Sequence, residues 1–435
     1  MKQARVLIVD DSVVVRRIVS EGLSADPGIE VVGIAANGQL ALDKLDKLDV
    51  DVVVLDIEMP VMDGLTTLRE IRKRNRRLPV IMFSTLTERG AAATLEALSA
   101  GASDYVTKPA NVGSVTESRE RVRAELAPKI KALAEGAAAR GFASARPAAP
   151  LSTAHLLNRS RPSLLPESAN GLARTAQGGA TGRPGTGARG QADRLGQPST
   201  RPLARPRTAG TGPLILAIGC STGGPEALSS ILRELPADLP VPVVVVQHMP
   251  PVFTALFAER LDKGAKLTVH EARDGMPLSP GHVYLAPGDF HLEVERSGGG
   301  AAGRVQTKLH QRAQENFCRP AVDVLFRSVA RAYGAQVLAL VLTGMGSDGK
   351  LGAGDIAAAG GEILVQDRAS SVVWGMPGAV AEAGLAHSIL PLTEIAGQLV
   401  QRMPRRPPSL PTEFSNRARA PQHHLPLHGS EETPQ

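Results

Sequence analysis

Short apolar runs, each cut off by glycine, proline or an acidic residue, alternate with longer amphipathic stretches in two parts of this chain. In the first part they fall at Val6–Val9, Val31–Ala35, Val50–Leu55, Val80–Phe83 and Tyr105–Val106. Runs rich in β-branched and aliphatic residues read as buried parallel strands, and the stretches between them as helices. The last helical stretch reaches through Ala124–Leu133. Five such alternations predict a small (βα)5 doubly wound domain over residues 1–135.

From 136 to 212 the periodicity disappears, and Pro, Gly, Ala, Ser and Arg dominate. A segment of that composition buries too little apolar surface to offset its ordering entropy, so it is expected to be a long disordered linker. Alternation resumes over 213–403 with Leu214–Ile218, Val243–Val246 and Val337–Leu342. That pattern predicts a larger doubly wound, mainly parallel α/β domain. Within it, Gly281–Asp289, His291–Val294 and Val305–Leu309 read as consecutive hairpin strands, an antiparallel insertion. Residues 404–435, rich in Pro, Arg and His, are expected to form a disordered tail.

Composition narrows the class. At 435 residues the chain calls for two domains. Its apolar runs fall far short of the roughly 20 residues that span a bilayer, so no membrane-embedded segment is expected. The start runs straight into Val6–Val9 without the apolar core of a signal peptide, and Cys220 and Cys318 are too few for a disulfide framework. A cytoplasmic protein fits these features. The net charge is +6, yet 136–212 holds eleven arginines against Glu167 and Asp193, a local balance of +9. The rest of the chain therefore carries −3, no folded domain needs a basic groove, and no nucleic-acid partner is expected.

Chemistry gathers at strand ends. In the first domain Asp10 and Asp11 close one strand and Asp56 another, which crowds three carboxylates at one sheet edge. Like charges so close raise one another's pKa, and a divalent cation with oxygen-only ligation, magnesium by preference, relieves the crowding. Ser84 and Lys108, at two further strand ends, offer a hydroxyl and an ammonium to a phosphoryl group on Asp56.

In the second domain, Gly219-Cys220-Ser221-Thr222-Gly223 has the G-x-S-x-G form after a strand and before a helix. His248 and Asp348 each follow their own strands, so the three are positioned to meet beyond the carboxyl edge. Ser221 would act as nucleophile, His248 as general base and Asp348 as its orienting carboxylate. The order Ser–His–Asp along the chain differs from that of α/β-hydrolases and argues against that fold.

Residues 4 to about 125 resemble the receiver domain of bacterial response regulators through Asp10-Asp11, Asp56, Met59-Pro60, Asp63-Gly64, Ser84, Tyr105 and Lys108-Pro109. The resemblance implies phosphorylation of Asp56, Mg2+ held by Asp10, Asp11 and Asp56, and Lys108 on the phosphoryl group. It also implies coupled shifts of Ser84 and Tyr105. The segments Ile218–Gly224, Gln247–Pro250, Arg319–Phe326, Leu342–Gly349 and Trp374–Pro377 resemble the CheB methylesterase domain.

That second resemblance implies a Ser221–His248–Asp348 triad without a cofactor, an oxyanion amide from Met345, and Thr222 beside the histidine. By implication the chain is a phosphorylation-activated protein-glutamate methylesterase that also deamidates glutamines. Its partners would be the cytoplasmic helices of chemoreceptors and a chemotaxis histidine kinase as phosphodonor. The competing reading is a non-enzymatic two-component signalling module or transcriptional regulator with a degenerate second domain.

Overall fold

A computed structural model of the chain describes residues 3–108, 114–139, 212–297 and 304–404. The expected tail and nearly all of the expected linker lie outside them.

The first domain alternates as the sequence predicts: β1 Ala4–Val9, α1 Val13–Ser24, β2 Ile29–Ala35, α2 Gly38–Leu45, β3 Val52–Asp56, α3 Gly64–Arg74, β4 Val80–Ser84, α4 Glu88–Ser99, β5 Asp104–Thr107 and α5 Val115–Ala139. Its five parallel strands lie in the order β2-β1-β3-β4-β5, so the ends of β1 and β3 are neighbours. The first four helices begin at a polar cap. Ser12, Asn37, Asp63 and Thr87 each accept an otherwise unpaired amide of the first turn, a contact worth about 1 kcal/mol apiece. Helix α5 runs to Ala139, past the boundary expected at 135, because the three helix-favouring alanines after Gly136 carry it one further turn.

The second domain opens with β6 Ile215–Cys220, α6 Gly224–Glu234, β7 Val243–Gln247, α7 Phe253–Gly264 and β8 Thr268–Glu271. Strands β9 His282–Leu285, β10 His291–Ser297 and β11 Arg304–His310 precede α8 Val322–Tyr333 and β12 Val337–Val341. It closes with α9 Lys350–Ala358, β13 Glu362–Gln366, α10 Met376–Glu382, β14 Ser388–Leu390 and α11 Leu392–Arg402. Seven parallel strands lie in the order β14-β13-β12-β6-β7-β9-β8, while β10 and β11 form a separate antiparallel pair.

One expectation is corrected. The strand within Gly281–Asp289 is not part of a hairpin, because β9 pairs in parallel with β7 and β8 inside the main sheet. Its valine, tyrosine and leucine are fully covered there, as a two-faced central strand requires. Only β10 and β11 form the antiparallel element.

Both sheets put β-branched and aliphatic side chains into layers under the helices. No helix among the described residues is long and apolar enough to cross a membrane. The chain order reverses between β6 and β12, the point in an open α/β sheet where a crevice forms beyond the strand ends. Ser221 follows β6, His248 follows β7, and Thr343–Asp348 follow β12.

Behind the histidine loop, the backbone of Pro250 and Pro251 rests directly on Gly288. A Cβ there would stand 2.1 Å from Pro251 N and 2.3 Å from Pro250 C, so only glycine fits. We expect Gly288→Ala to displace this loop and destabilise the second domain by about 2–3 kcal/mol, the cost of overpacking rigid surroundings. A urea unfolding midpoint identical to that of the parent chain would contradict this packing.

Candidate active site

Ser221 is held at the carboxyl edge by its backbone. Its amide donates to Thr343 O (3.1 Å), and its carbonyl accepts from Gly224 N (2.7 Å) and from the buried Gln247 side chain (3.1 Å). Gln247 also donates to His248 O (3.1 Å), so one amide clamps the serine turn to the histidine loop. Gly223 sits at φ 76°, a left-handed conformation that turns the chain sharply into α6.

Strands β6 and β7 pair in register at Cys220 and Gln247, and His248 N donates to Cys220 O (3.1 Å). Ser221 and His248 are therefore the next positions along strands about 4.8 Å apart.

His248 Nε2 lies 2.8 Å from Asp348 Oδ2. Asp348 is buried and anchored: Oδ2 accepts Val322 N (2.6 Å), and Oδ1 accepts Asp323 N (3.0 Å), Gly349 N (3.0 Å) and Asn316 Nδ2 (2.8 Å). Burial pushes its carboxyl up, but the imidazole and these amide donors outweigh that and hold it below the usual range. Neighbouring Asp323 is raised, chiefly by burial and in part by Asp348. Burial alone would lower His248, yet hydrogen bonds to Asp348 and Cys318 raise it to about 10.

The structure thus brings His248 and Asp348 together, but it does not join Ser221 to them by a hydrogen bond. Among the described residues the serine hydroxyl has no hydrogen-bond partner, and His248 Nδ1 instead faces Cys318 Sγ at 3.6 Å. The amides of Thr222, next in the chain to the serine, and of Met345, on the loop after β12, have no acceptor among the described residues.

The Thr222 side chain bonds the first domain rather than the imidazole. Its hydroxyl donates to Asp104 Oδ2 of the first domain at 2.6 Å, and both residues are buried, at 3% and 5% exposure. Lys129 holds the same Asp104 oxygen at 2.7 Å. A charged acceptor of this kind makes a stronger bond than a neutral one. Around this contact the two domains are packed together. Tyr105 stacks on Phe253 with ring centroids 4.8 Å apart, and Met345, Val372 and Val373 share an apolar cluster with side chains of the first domain. Arg260 of α7 donates to Leu95 O (3.0 Å) and to the Ser99 hydroxyl on α4.

In the first domain, Asp10, Asp11 and Asp56 present carboxylate oxygens within 4.8 Å of one another. Lys108 Nζ stands 2.8 Å from both Asp10 and Asp56, one cation against two buried anions. Burial foremost, with Asp10 adding to it, lifts Asp56 to about 6 against the opposing pull of Lys108. A set of hard oxygen donors short of positive charge fits a divalent cation of the magnesium type. Ser84 is buried, and its hydroxyl accepts from Thr94 (2.8 Å). Tyr105 points toward the second domain.

Sequence reasoning missed Asp104, Gln247, Asn316, Cys318 and Asp323. Gln247 and Asp323 lay inside recognised segments without a role assigned to them, Asn316 and Cys318 lay just ahead of one, and Asp104 stood next to Tyr105.

Residues 216–399 match the CheB methylesterase family model, and residues 6–119 match that of the response regulator receiver domain. A protein-glutamate methylesterase/protein-glutamine glutaminase of Nocardioides sp. is 51% identical over 410 residues, 94% of this chain and 98% of that one. Its namesake in Trichodesmium erythraeum is 45% identical over 403 residues, covering 93% and 100%. With such relatives along nearly its whole length, this chain belongs to the CheB methylesterase family and carries a response regulator receiver domain ahead of its catalytic domain.

Proposed function

We propose that this protein hydrolyses glutamate γ-methyl esters on the cytoplasmic helices of chemoreceptors, that it deamidates selected receptor glutamines, and that phosphorylation of its receiver controls the reaction. The observation that carries this reading is the His248–Asp348 pair at the edge where Ser221 emerges, within a chain of this family. With Nε2 on the carboxylate, the imidazole carries its proton there and leaves Nδ1 as the basic nitrogen.

Ser221 Oγ attacks the ester carbonyl while Nδ1 takes the hydroxyl proton. The amides of Met345 and Thr222 receive the developing oxyanion. Collapse expels methanol, which leaves with the proton from His248, and a water activated by the same nitrogen releases the glutamate. A glutamine side chain follows the same course with ammonia as leaving group. The domain boundaries we adopt are 1–139 for the receiver and 213–403 for the esterase.

Asp56 is the phosphoacceptor in this reading, with a histidine kinase as donor. Asp10, Asp11 and Asp56 would hold Mg2+, which when bound neutralises charge around the phosphoryl group. Lys108 contacts the phosphoryl oxygens, and Ser84 and Tyr105 carry the change to the β4–β5 face. That face carries Asp104, and its grip on Thr222 supports a docked, inhibited state in which the serine turn is tied to the receiver. A phosphoryl group favours release only to the extent that it binds the undocked state better. The alternative of a transcriptional regulator has no counterpart in a second domain of this family.

Replacement Ser221→Ala should abolish methanol release from methylated receptor membranes while leaving Asp56 able to accept phosphate. Ester cleavage near the parent rate in that variant would remove the catalytic assignment.

A pH dependence also follows. With its pKa raised to about 10, the neutral imidazole that serves as base is the minor form at pH 7, so hydrolysis by the unstimulated enzyme should climb as pH rises from about 7 toward 10. The same shift stabilises the fold below the ordinary imidazole value of 6.5, and that contribution is lost as pH passes through about 10. A rate profile already level at pH 7 would contradict this picture of the histidine.

A further inference from the structure

Residues Glu315–Cys318 form a tight reversal next to the candidate catalytic residues. Glu315 N donates to Cys318 O (3.1 Å) and Cys318 N to Glu315 O (2.9 Å). The two central residues, Asn316 and Phe317, have φ of 53° and 60°, the signature of a turn that ordinarily selects glycine or asparagine. Asparagine tolerates this conformation, whereas a bulky aromatic residue there is an outlier.

Every side chain of the turn except one is tied inward. Glu315 pairs with Arg327 (2.6 Å), Asn316 donates to both Asp323 (2.9 Å) and Asp348 (2.8 Å), and Cys318 meets His248 Nδ1 (3.6 Å). Phe317 alone projects outward and is 96% exposed, the most exposed of the large hydrophobic residues among those described. A residue that takes an unfavourable backbone conformation and buries nothing contributes little to the fold. Its position, between the neighbours of His248 and Asp348, gives it a different use.

We propose that Phe317 is a docking anchor for the protein substrate, packing against the apolar face of the receptor helix that presents its glutamyl ester to Ser221. The inference rests on the esterase reading above. A glutamate side chain is short, so the helix carrying the ester must lie across the rim of the crevice, and the Glu315–Cys318 turn is part of that rim. Helical side chains three and four positions from the ester share its face and come within reach of a projecting ring. Exposed aromatic residues are the side chains best suited to anchor such a contact, because they bury a large area with few torsions. Leu351, 63% exposed in the first turn of α9 shortly after Asp348, adds a second apolar side chain on the same segment as the carboxylate. Phe317 is open even with the receiver docked, so the receptor can engage it before the serine turn is freed.

The test compares methylated receptor membranes with a small acyl ester such as p-nitrophenyl acetate, using the full chain and a phosphodonor. Phe317→Gly suits the left-handed backbone and keeps the turn. It should lower the ratio of receptor to small-ester kcat/KM by roughly five- to tenfold, the effect of losing one anchoring aromatic, and mainly through KM. Phe317→Tyr should restore the ratio. A ratio equal to the parent's in Phe317→Gly would overturn the proposal. So would sedimentation showing that Phe317 serves self-association, with the ratio unmoved. Should the parent enzyme release no methanol from receptors while still cleaving the small ester, the esterase assignment to receptors fails, and this inference with it.

Discussion

A single buried hydrogen bond, from Thr222 to Asp104, joins the reactive turn of one domain to the edge strand β5 of the other. Its partners lie 118 positions apart in the chain, and Lys129 shares the same carboxylate oxygen. A charged acceptor buried with its donors gains about 1.5–3 kcal/mol from each such bond and leaves a costly vacancy when one is removed. The surrounding contacts depend on it for register: Tyr105 reaches Phe253 from the residue next to Asp104, and Thr222 follows the nucleophile directly. Movement of β5 therefore cannot be independent of the serine turn.

The same arrangement bears on the candidate triad, of which the structure joins only His248 and Asp348. His248 and Asp348 are locked by five hydrogen bonds converging on one carboxylate, a preorganisation that holds the imidazole in a single orientation. Ser221 is fixed through its backbone alone. Its hydroxyl has no hydrogen-bond partner among the described residues, and the residue beside it is the one the receiver grips. Cys318 meanwhile faces Nδ1, the nitrogen that Ser221 would have to reach in the proposed reaction.

Much of this could be read from residues alone. The five receiver strands are apolar runs closed by Asp10, Asp56, Ser84 and Lys108, and a parallel sheet delivers strand ends to one edge whatever lies between them. The places of Ser221, His248 and Asp348 just past their strands were legible for the same reason. Strand β9 was misjudged because four residues flanked by glycine and proline carry no sign of whether a neighbour runs parallel or antiparallel. Strand β8, Thr268–Glu271, is too short and too polar at one face to stand out. The Thr222–Asp104 bond and the Cys318–His248 contact left no trace, since neither periodicity nor spacing encodes a meeting of distant side chains. Phe317 was hidden differently: its left-handed turn lacks the glycine by which such turns are recognised.

Ester hydrolysis by the full chain carrying Asp104→Ala, measured with and without a small phosphodonor, tests most directly whether the receiver restrains the serine turn through this bond. The account predicts a basal rate raised about tenfold, as expected for losing one charge-assisted bond, and little further gain from the phosphodonor. A basal rate equal to the parent's, with stimulation intact, would contradict it.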